Sequence, residues 1–451
     1  MPVSTDVLIA GAGIGGLTAA LSLHAAGIGA TVVERVREIR PLGVGINLQP
    51  HAVRELIELG LGDELAAIAV PTAEHRYVDQ YGTTLFTEPR GKACGYRWPQ
   101  YSIHRGELQT LLLEAVCDRL GPQAVRTGVQ VEGVEGAEKG EGGECGEGGE
   151  RGGRVRVRVT DRSTGAVSHL TAGLLIGADG LHSAVRTALH PGEGPLLWSG
   201  VRMWRGVIET DRFLNGRTAV IATGESGAAG VSGTAASHAT AASHATAAPH
   251  ATAGVPGAQF LAYPISRTAD DRGRSLVNWV AMIAVTAPQP LDATAVDWNA
   301  PARPEDVLPH FDGWRVGDRR VRDLITGSRT LLRYPMVDRD PLPRWGEGRV
   351  TLLGDAAHPM YPVGANGASQ AVLDARVLAH RLATAPDIAT ALAAYESERR
   401  TATARIVHAN RRMHRSEHTV RDGIAATTAA YRQATGSDVA DLNNRPSLSV
   451  A

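Results

Sequence analysis

Near the amino terminus, the stretch DVLIAGAGIGG joins a short apolar strand, Asp6 to Ala10, to Gly11, Gly13 and Gly16, which lead straight into a helical run from Leu17 to Ala26. A second apolar strand, Ala30 to Val33, follows and ends in Glu34. Strand, glycine turn, helix and strand make a βαβ unit, and two parallel strands joined by a helix commit the chain to an α/β sheet. In such a turn the first glycine makes the tight bend, the second lets a pyrophosphate approach the backbone, and the third lets helix and strand pack closely. The anion then meets a helix N-terminus, where free N–H groups and the dipole favour negative charge. Glu34, 18 positions beyond Gly16, is placed to accept hydrogen bonds from ribose hydroxyls. The pattern predicts a bound dinucleotide. No second fingerprint of this kind occurs, so the first one alone leaves open whether the dinucleotide carries a nicotinamide or a flavin.

At 451 residues the chain exceeds the size at which a single core keeps growing, so two or three domains are expected. Its 46 basic and 47 acidic side chains nearly cancel, which provides no global field for nucleic acid or an anionic membrane. Cys94, Cys117 and Cys145 are few, scattered and odd in number, with no zinc-like spacing, so a reducing compartment and no metal are expected. The first residues lack the cationic and cleavage ends of a signal peptide, and no run of 18 apolar residues occurs elsewhere. A cytoplasmic protein is predicted.

Further along, the spacing predicts helices over Arg54 to Val70 and Glu107 to Leu120, then a strand from Val129 to Val134. The stretch Glu135 to Gly153 is almost entirely Gly and Glu, with too little apolar surface to offset the entropy of ordering, and is expected to be a flexible hairpin tip or loop. Beyond Pro191 come the strand-like segments VRMWRGVIE, QFLAYPIS, SLVNWVAMIAV and TLLRYPMV, which predict an antiparallel sheet inserted into the nucleotide-binding unit. Inside it the repeat AASHAT AASHAT AAPHAT places His238, His244 and His250 at a period of six. That period puts them on no single helical face, so a disordered loop expansion is expected rather than a metal site. The chain divides into a dinucleotide-binding unit (1–75, 100–191 and 334–385), an inserted substrate unit (76–99 and 192–333), C-terminal helices (386–434) and a flexible tail (435–451).

Two further motifs admit bland readings. In GADGLHSAVR, Asp179 and Gly180 follow a strand, but Asp-Gly is a common turn and Ser183 could simply cap a helix. In GDAAH, Asp355 follows the strand RVTLL, at the carboxyl edge where open α/β sheets bind ligands; it could hold a polyol or cap a helix. His358 is read as structural.

Taken together, GAGIGG with Glu34, the Asp179–Gly180 turn and Asp355 in this order resemble the three signature motifs of FAD-dependent aromatic hydroxylases, the single-component class that includes p-hydroxybenzoate and salicylate hydroxylases. The segments EIRPLGVGINLQP, PQYSIHRGELQ, MWRGV, SLVNWV, YPMVDRDPLP and MYPVGANGASQA resemble still more closely the phenazine-tailoring members. The resemblance implies a Rossmann-like FAD domain, an inserted antiparallel β-sheet substrate domain and a C-terminal helical segment. It implies that Gly11, Gly13 and Gly16 cradle the FAD pyrophosphate, with Glu34 and Arg35 at the adenosine ribose and Val129 beside the adenine. Arg105 would reach the phosphate or ribityl side, Asp179 and Gly180 would sit near the pyrophosphate, and Asp355 would bind the ribityl chain. Pro362, Gly364, Asn366 and Gly367 would give the flavin ring room and present amides to it.

NADH or NADPH would reduce the FAD, and O2 would be delivered to an electron-rich ring through a flavin C4a-hydroperoxide, with no acid or base residue named. The expected substrate is a small aromatic, and the resemblance points to decarboxylative hydroxylation of a phenazine-1-carboxylate. Trp204, Tyr263, Trp279 and Tyr334 could stack on it, and Arg205 or Arg333 could pair its carboxylate. A reductase or dehydrogenase of the same fold, or a non-catalytic flavin-fold binding protein, is the alternative. A monomer or homodimer with no nucleic acid or membrane partner is expected.

Overall fold

The computed structural model describes residues 6–41, 43–138, 153–224, 257–291, 296–298, 300–417, 424–435 and 438–448. In chain order, the elements that build the site are β1 (Val7–Ala10), α1 (Ile14–Ala25), β2 (Ala30–Glu34), β3 (Glu74–Asp79), β4 (Thr84–Pro89), α2 (Arg105–Leu120), β5 (Val125–Thr127), β6 (Leu174–Gly177), β7 (Leu196–Asp211), β8 (Thr218–Gly224), β9 (Ala258–Pro264), β10 (Arg274–Ala284), β11 (Gln289–Leu291), β12 (Leu331–Asp338), β13 (Gly346–Glu347) and β14 (Val350–Leu352). The helices α3 (Gly367–Thr384), α4 (Ile388–Glu417), α5 (Ile424–Thr435) and α6 (Val439–Asn444) complete the chain.

The first sheet has the order β13-β14-β6-β1-β2-β5, parallel except where β13 pairs with β14. Its central strands are buried along their length, as both faces of a parallel sheet must be when helices cover them. Helix α1 is apolar nearly all round and lies between this sheet and α3. Its two buried hydroxyls, on Thr18 and Ser22, each donate to a carbonyl one turn back at 2.7 Å, so neither is left unpaired.

The second sheet has eight strands in the order β11-β7-β10-β9-β8-β3-β4, with β12 also paired to β7. It is antiparallel apart from the parallel pair β8 and β3. Alternate residues on its strands face opposite ways. One face packs Trp204, Phe260 and Trp279 against Phe311 and Trp314 in a closed core. The other presents a lateral row, Arg205, Val280, Leu261, Ile221 and Tyr77, set by the cross-strand register.

Three expectations change. The helix expected over Arg54 to Val70 is two helices, Pro50–Glu58 and Gly62–Ile68, broken where Gly60 takes a φ of 73°, and Val70 begins a strand. The tail expected to be flexible from 435 contains α6: Leu442 is buried, Asn443 Nδ2 donates to the Gly95 carbonyl at 3.0 Å, and Arg54 Nη1 donates to the Arg445 carbonyl at 2.7 Å. Six residues are too few to show a helical period, so the docking surface, not the local pattern, orders them. Of the stretch Glu135 to Gly153 expected to be a loop, Glu135 to Glu138 continue the strand Val129–Glu138, while residues 139–152 and the histidine repeat lie outside the described residues. Among those described, no helix is long and apolar enough to cross a membrane.

A buried ionic network pins the end of β14. Asp374 on α3 accepts from the Gly354 N–H at 3.0 Å and from Arg399 Nε at 2.7 Å, and lies 2.6 Å from His358 Nε2. Burial alone would raise the Asp374 pKa; His358 and Arg399 together outweigh it and hold the carboxyl below its ordinary 3.8. A carboxyl depressed in the folded state stabilises fully above its unfolded pKa, and that contribution fades as pH falls through the lower folded value. Asp374→Ala leaves the buried Arg399 guanidinium without its anion, so it is expected to cost about 3–5 kcal/mol near neutral pH. Urea unfolding at falling pH should show that difference shrinking in the acid range.

Candidate active site

Both sheets and the C-terminal helices enclose a cavity of about 440 Å³. On one side lie Gly13, Ile14 and Gly15 of the α1 turn, then Gly354, Asp355 and the run Met360 to Ala368. On the other lies the row from Arg205 to Tyr77, flanked by Met203, Met282 and Tyr263. Helices α1 and α3 therefore open their N-termini into one space. Neither N-cap makes a side-chain hydrogen bond and neither first turn carries an acidic residue. The first N–H groups of each helix have no intrahelical partner, which makes both ends receptive to negative charge.

The glycines divide by what a side chain would meet. A Cβ on Gly16 would lie 2.0 Å from the Gly11 carbonyl oxygen, and one on Gly11, whose φ is 102°, would lie 2.5 Å from the Ala178 oxygen. Those two are explained by the protein itself. Gly13 is different: its φ of −75° suits any residue, and a Cβ there meets nothing within 4 Å. Neither backbone nor packing requires a glycine at Gly13, yet it borders the cavity beside the α1 amides. A pyrophosphate lying against the backbone accounts for it, so the residues present fit FAD.

Asp355 sits in a tight turn after β14 and opens its carboxylate onto the cavity, where it accepts no hydrogen bond from any described residue. The side chain is accessible from the cavity, yet it lies deep enough in the protein that burial raises its pKa, with His358 and Arg105 opposing. Arg105, the first residue of α2, lines the same space, as do Gly180, Pro362, Gly364, Asn366 and Gly367. The alternative of a capping role for Asp355 is not what the structure shows.

Asp179, by contrast, turns to the helix Ala184–Leu189: it accepts from the Ala184 N–H at 2.8 Å and from the Ser183 hydroxyl, while Ser183 itself caps the Arg186 N–H at 2.9 Å. Glu34 accepts from the Ala12 N–H at 2.9 Å and from the Val36 N–H at 3.0 Å, which fixes it beside the glycine turn. Exposed Arg35 follows it, and Val129 begins the strand Val129–Glu138; like Gly11, Gly16, Glu34 and Asp179, neither lines the cavity.

Of the aromatic side chains expected at the substrate, Tyr263 alone lines the cavity. Trp204 and Trp279 occupy the opposite face of the sheet, in its closed core, because each stands one position out of phase with the row that begins at Arg205. Tyr334 pairs opposite Met203 on β12, one strand beyond the cavity wall. Arg333 is exposed and does not line the cavity, whereas Arg205 does.

The Arg205 guanidinium donates from Nη2 to the Gly45 carbonyl at 2.8 Å, the same oxygen that takes the Tyr263 hydroxyl at 2.9 Å. Its Nε is buried without a partner, and burial draws its pKa below the usual arginine value. His51, also on the wall, is pushed down to about 3 by burial, then by Arg445 and Arg399, and is neutral at physiological pH. The sequence offered no signal for His51, Glu88, Tyr431 or Arg432, which reach the cavity from segments far apart in the chain.

This cavity, with two helix N-termini and Asp355 on one side and the sheet row from Arg205 to Tyr77 on the other, belongs to an FAD-dependent aromatic monooxygenase. Residues 4–239 and 323–410 match the family model described as FAD binding domain, and the chain belongs to that family. It is 46% identical, over 95% of its length and 96% of the relative's, to phenazine 1,6-dicarboxylic acid hydroxylase PhzS of Lysobacter antibioticus. It is 30% identical to 3-hydroxybenzoate 6-hydroxylase 1 of Aquipseudomonas alcaligenes, over 89% of this chain and 86% of that one. The crystal structure of Klebsiella pneumoniae HpxO complexed with FAD and uric acid superposes with a TM-score of 0.69 at 25% identity, covering 98% and 96% of the two chains.

The contrast between glycines is testable. Gly16→Ala is expected to destabilise the fold by about 1–3 kcal/mol through the clash with Gly11. Gly13→Ala is expected to leave the melting temperature of the apoprotein unchanged while weakening FAD binding at least tenfold, measured by fluorescence titration.

Proposed function

We propose that this monooxygenase acts on a phenazine-1-carboxylate, replacing the carboxylate by a hydroxyl. The observation that carries the reading is Arg205: a guanidinium on an otherwise apolar wall, with a carbonyl but no carboxylate beside it and a buried Nε unpaired. A half-buried cation with a buried, unpaired donor is costly unless an anion joins it. Around it Met203, Val280, Leu261 and Met282 offer a broad, apolar sheet surface suited to a flat polycyclic ring.

In this reading Gly11, Gly13 and Gly16 shape the pyrophosphate turn, Glu34 holds the adenosine ribose, and Arg105 and Asp355 hold the phosphate and ribityl side. Arg35, Val129, Asp179 and Gly180 border the adenosine and pyrophosphate region, and Pro362, Gly364, Asn366 and Gly367 take the ring. When bound and reduced by NADH or NADPH, FAD supplies the activation of O2 that the side chains here cannot perform. The protein's own part is placement and exclusion. Arg205 fixes the acid end of the substrate through charge-assisted hydrogen bonds. The α3 N-terminus stabilises negative charge at the facing edge of the cavity without reorganising during reaction. The methionine and aliphatic wall keeps water out, which strengthens both effects. Overall, one O2, one NAD(P)H and two protons are consumed with the aromatic carboxylate, giving the hydroxylated ring, CO2, water and NAD(P)+.

Incubation with phenazine-1-carboxylate or its 5-methyl derivative, NAD(P)H and O2 is expected to release CO2 in proportion to substrate consumed, with one atom of labelled O2 in the product. Substrate-stimulated NAD(P)H oxidation without CO2 release would remove the decarboxylative step from the proposal. Arg205→Met is expected to raise KM for the acid by more than tenfold, the cost of losing a hydrogen bond to a charged group, with a smaller effect on a substrate lacking the carboxylate.

A further inference from the structure

The loop that borders the cavity before α3 is held from behind by α5. Tyr431 Oη accepts from Asn366 Nδ2 at 2.6 Å and donates to Asn410 Oδ1 at 2.6 Å, with the Val363 carbonyl 3.4 Å away. Asn410 in turn donates from Nδ2 to the Tyr361 carbonyl at 3.0 Å. The Gly364 carbonyl takes Gln49 Nε2 at 3.0 Å and Asn366 Nδ2 at 3.2 Å. The carbonyls of Tyr361 and Gly364 are thus tied to the protein, while the first amides of α3 are left without intrahelical partners.

This restraint has something to hold. Gly364 and Ala365 are both left-handed, with φ of 71° and 54°. For an alanine that conformation costs about 1–2 kcal/mol and persists only where its surroundings over-determine it. The same phenol occupies the volume a side chain at Gly364 would need, since a Cβ there would lie 2.0 Å from Tyr431 Oη. Gly364 therefore makes room for Tyr431. One residue on, Arg432 reaches the other way, pairing with Glu88 on β4 and approaching Cys94 Sγ at 3.6 Å, so a single turn of α5 joins the loop to the far edge of the sheet.

We propose that Tyr431 is a positioning residue for the cofactor. By packing against Gly364 and linking Asn366 to Asn410 it holds the left-handed turn that aims the α3 N-terminus into the cavity. This rests on the assignment of Pro362 to Gly367 to the flavin. Loss of the hydroxyl frees the turn to relax, which weakens FAD binding and removes part of the favourable field for the negative charge that accumulates on reduction.

The test compares Tyr431→Phe, Asn410→Ala and the double variant, reading the FAD dissociation constant of the apoprotein by fluorescence titration and the midpoint potential of the bound flavin. Asn410 does not line the cavity, so it can act on FAD only through the loop. Each single variant is expected to raise the dissociation constant about three- to tenfold and to lower the midpoint potential. The double variant should add little to either single, because the two residues serve one network. A lowered melting temperature with dissociation constant and potential unchanged would show a purely structural residue and overturn the proposal, as would additive effects in the double variant. If Tyr431→Phe does not fold, Asn410→Ala carries the same readouts. Gly367→Val separates the underlying assignment: its side chain would enter the cavity beside Asp355, the nearest atom to a Cβ there at 3.8 Å. Undiminished FAD binding in Gly367→Val overturns the assignment and this proposal with it; lost binding there, with Tyr431→Phe and Asn410→Ala unchanged, overturns this proposal alone.

Discussion

The close approach of α1 to α3 sets the geometry on which the rest of the site depends. A Cβ on Gly15 would lie 2.6 Å from a Leu353 methyl and 3.2 Å from the Ala371 Cβ, so the first turns of the two helices can lie together beside the end of β14 only with hydrogen at that position. Two helix N-termini opening into one space place like partial charges side by side, an unfavourable arrangement in isolation. Asp355, whose pKa burial raises, borders the same space, and an anion drawn in beside the two helix ends would relieve that arrangement. The protein is assembled to be completed by an anion.

Around that junction the two sheets divide the work. The parallel sheet delivers backbone: its strand ends carry the glycine turn, the Asp179–Gly180 turn and Asp355 to one edge, as open α/β sheets do at their carboxyl ends. The largely antiparallel sheet delivers side chains, because its period of two sorts them into a closed core of Trp204, Phe260 and Trp279 and an open wall running from Arg205 to Tyr77. Polar specificity on that wall is sparse. This suits a flavoprotein monooxygenase, in which the cofactor carries the chemistry and the protein supplies placement, field and dryness.

The C-terminal helices are part of the site and not an appendage to it. Buried Asp374, His358 and Arg399 join α3 and α4 to the turn that bears Asp355. Tyr431 and Arg432, adjacent on α5, brace the opposite sides of the cavity. These contacts pair residues separated by 16 to 344 positions in the chain, so no local pattern announces them.

By itself the sequence determined the α/β fold, the βαβ cofactor turn, the inserted sheet and the position of Asp355, because each is written in short-range chemistry: glycine spacing, apolar runs and a carboxylate at a strand end. It also carried the family, in segments long enough to be specific. Which aromatic borders the cavity was decided by the tertiary structure alone, since a strand's two faces are chemically alike until one is covered. Trp204 and Arg205 are neighbours in the chain, yet one lies in a core and the other borders the cavity. Tertiary structure likewise made Gly13 stand apart from Gly16, gave Gly364 its partner in Tyr431, and ordered a C-terminal segment that looks featureless as text, because those facts belong to distances between remote parts of the chain.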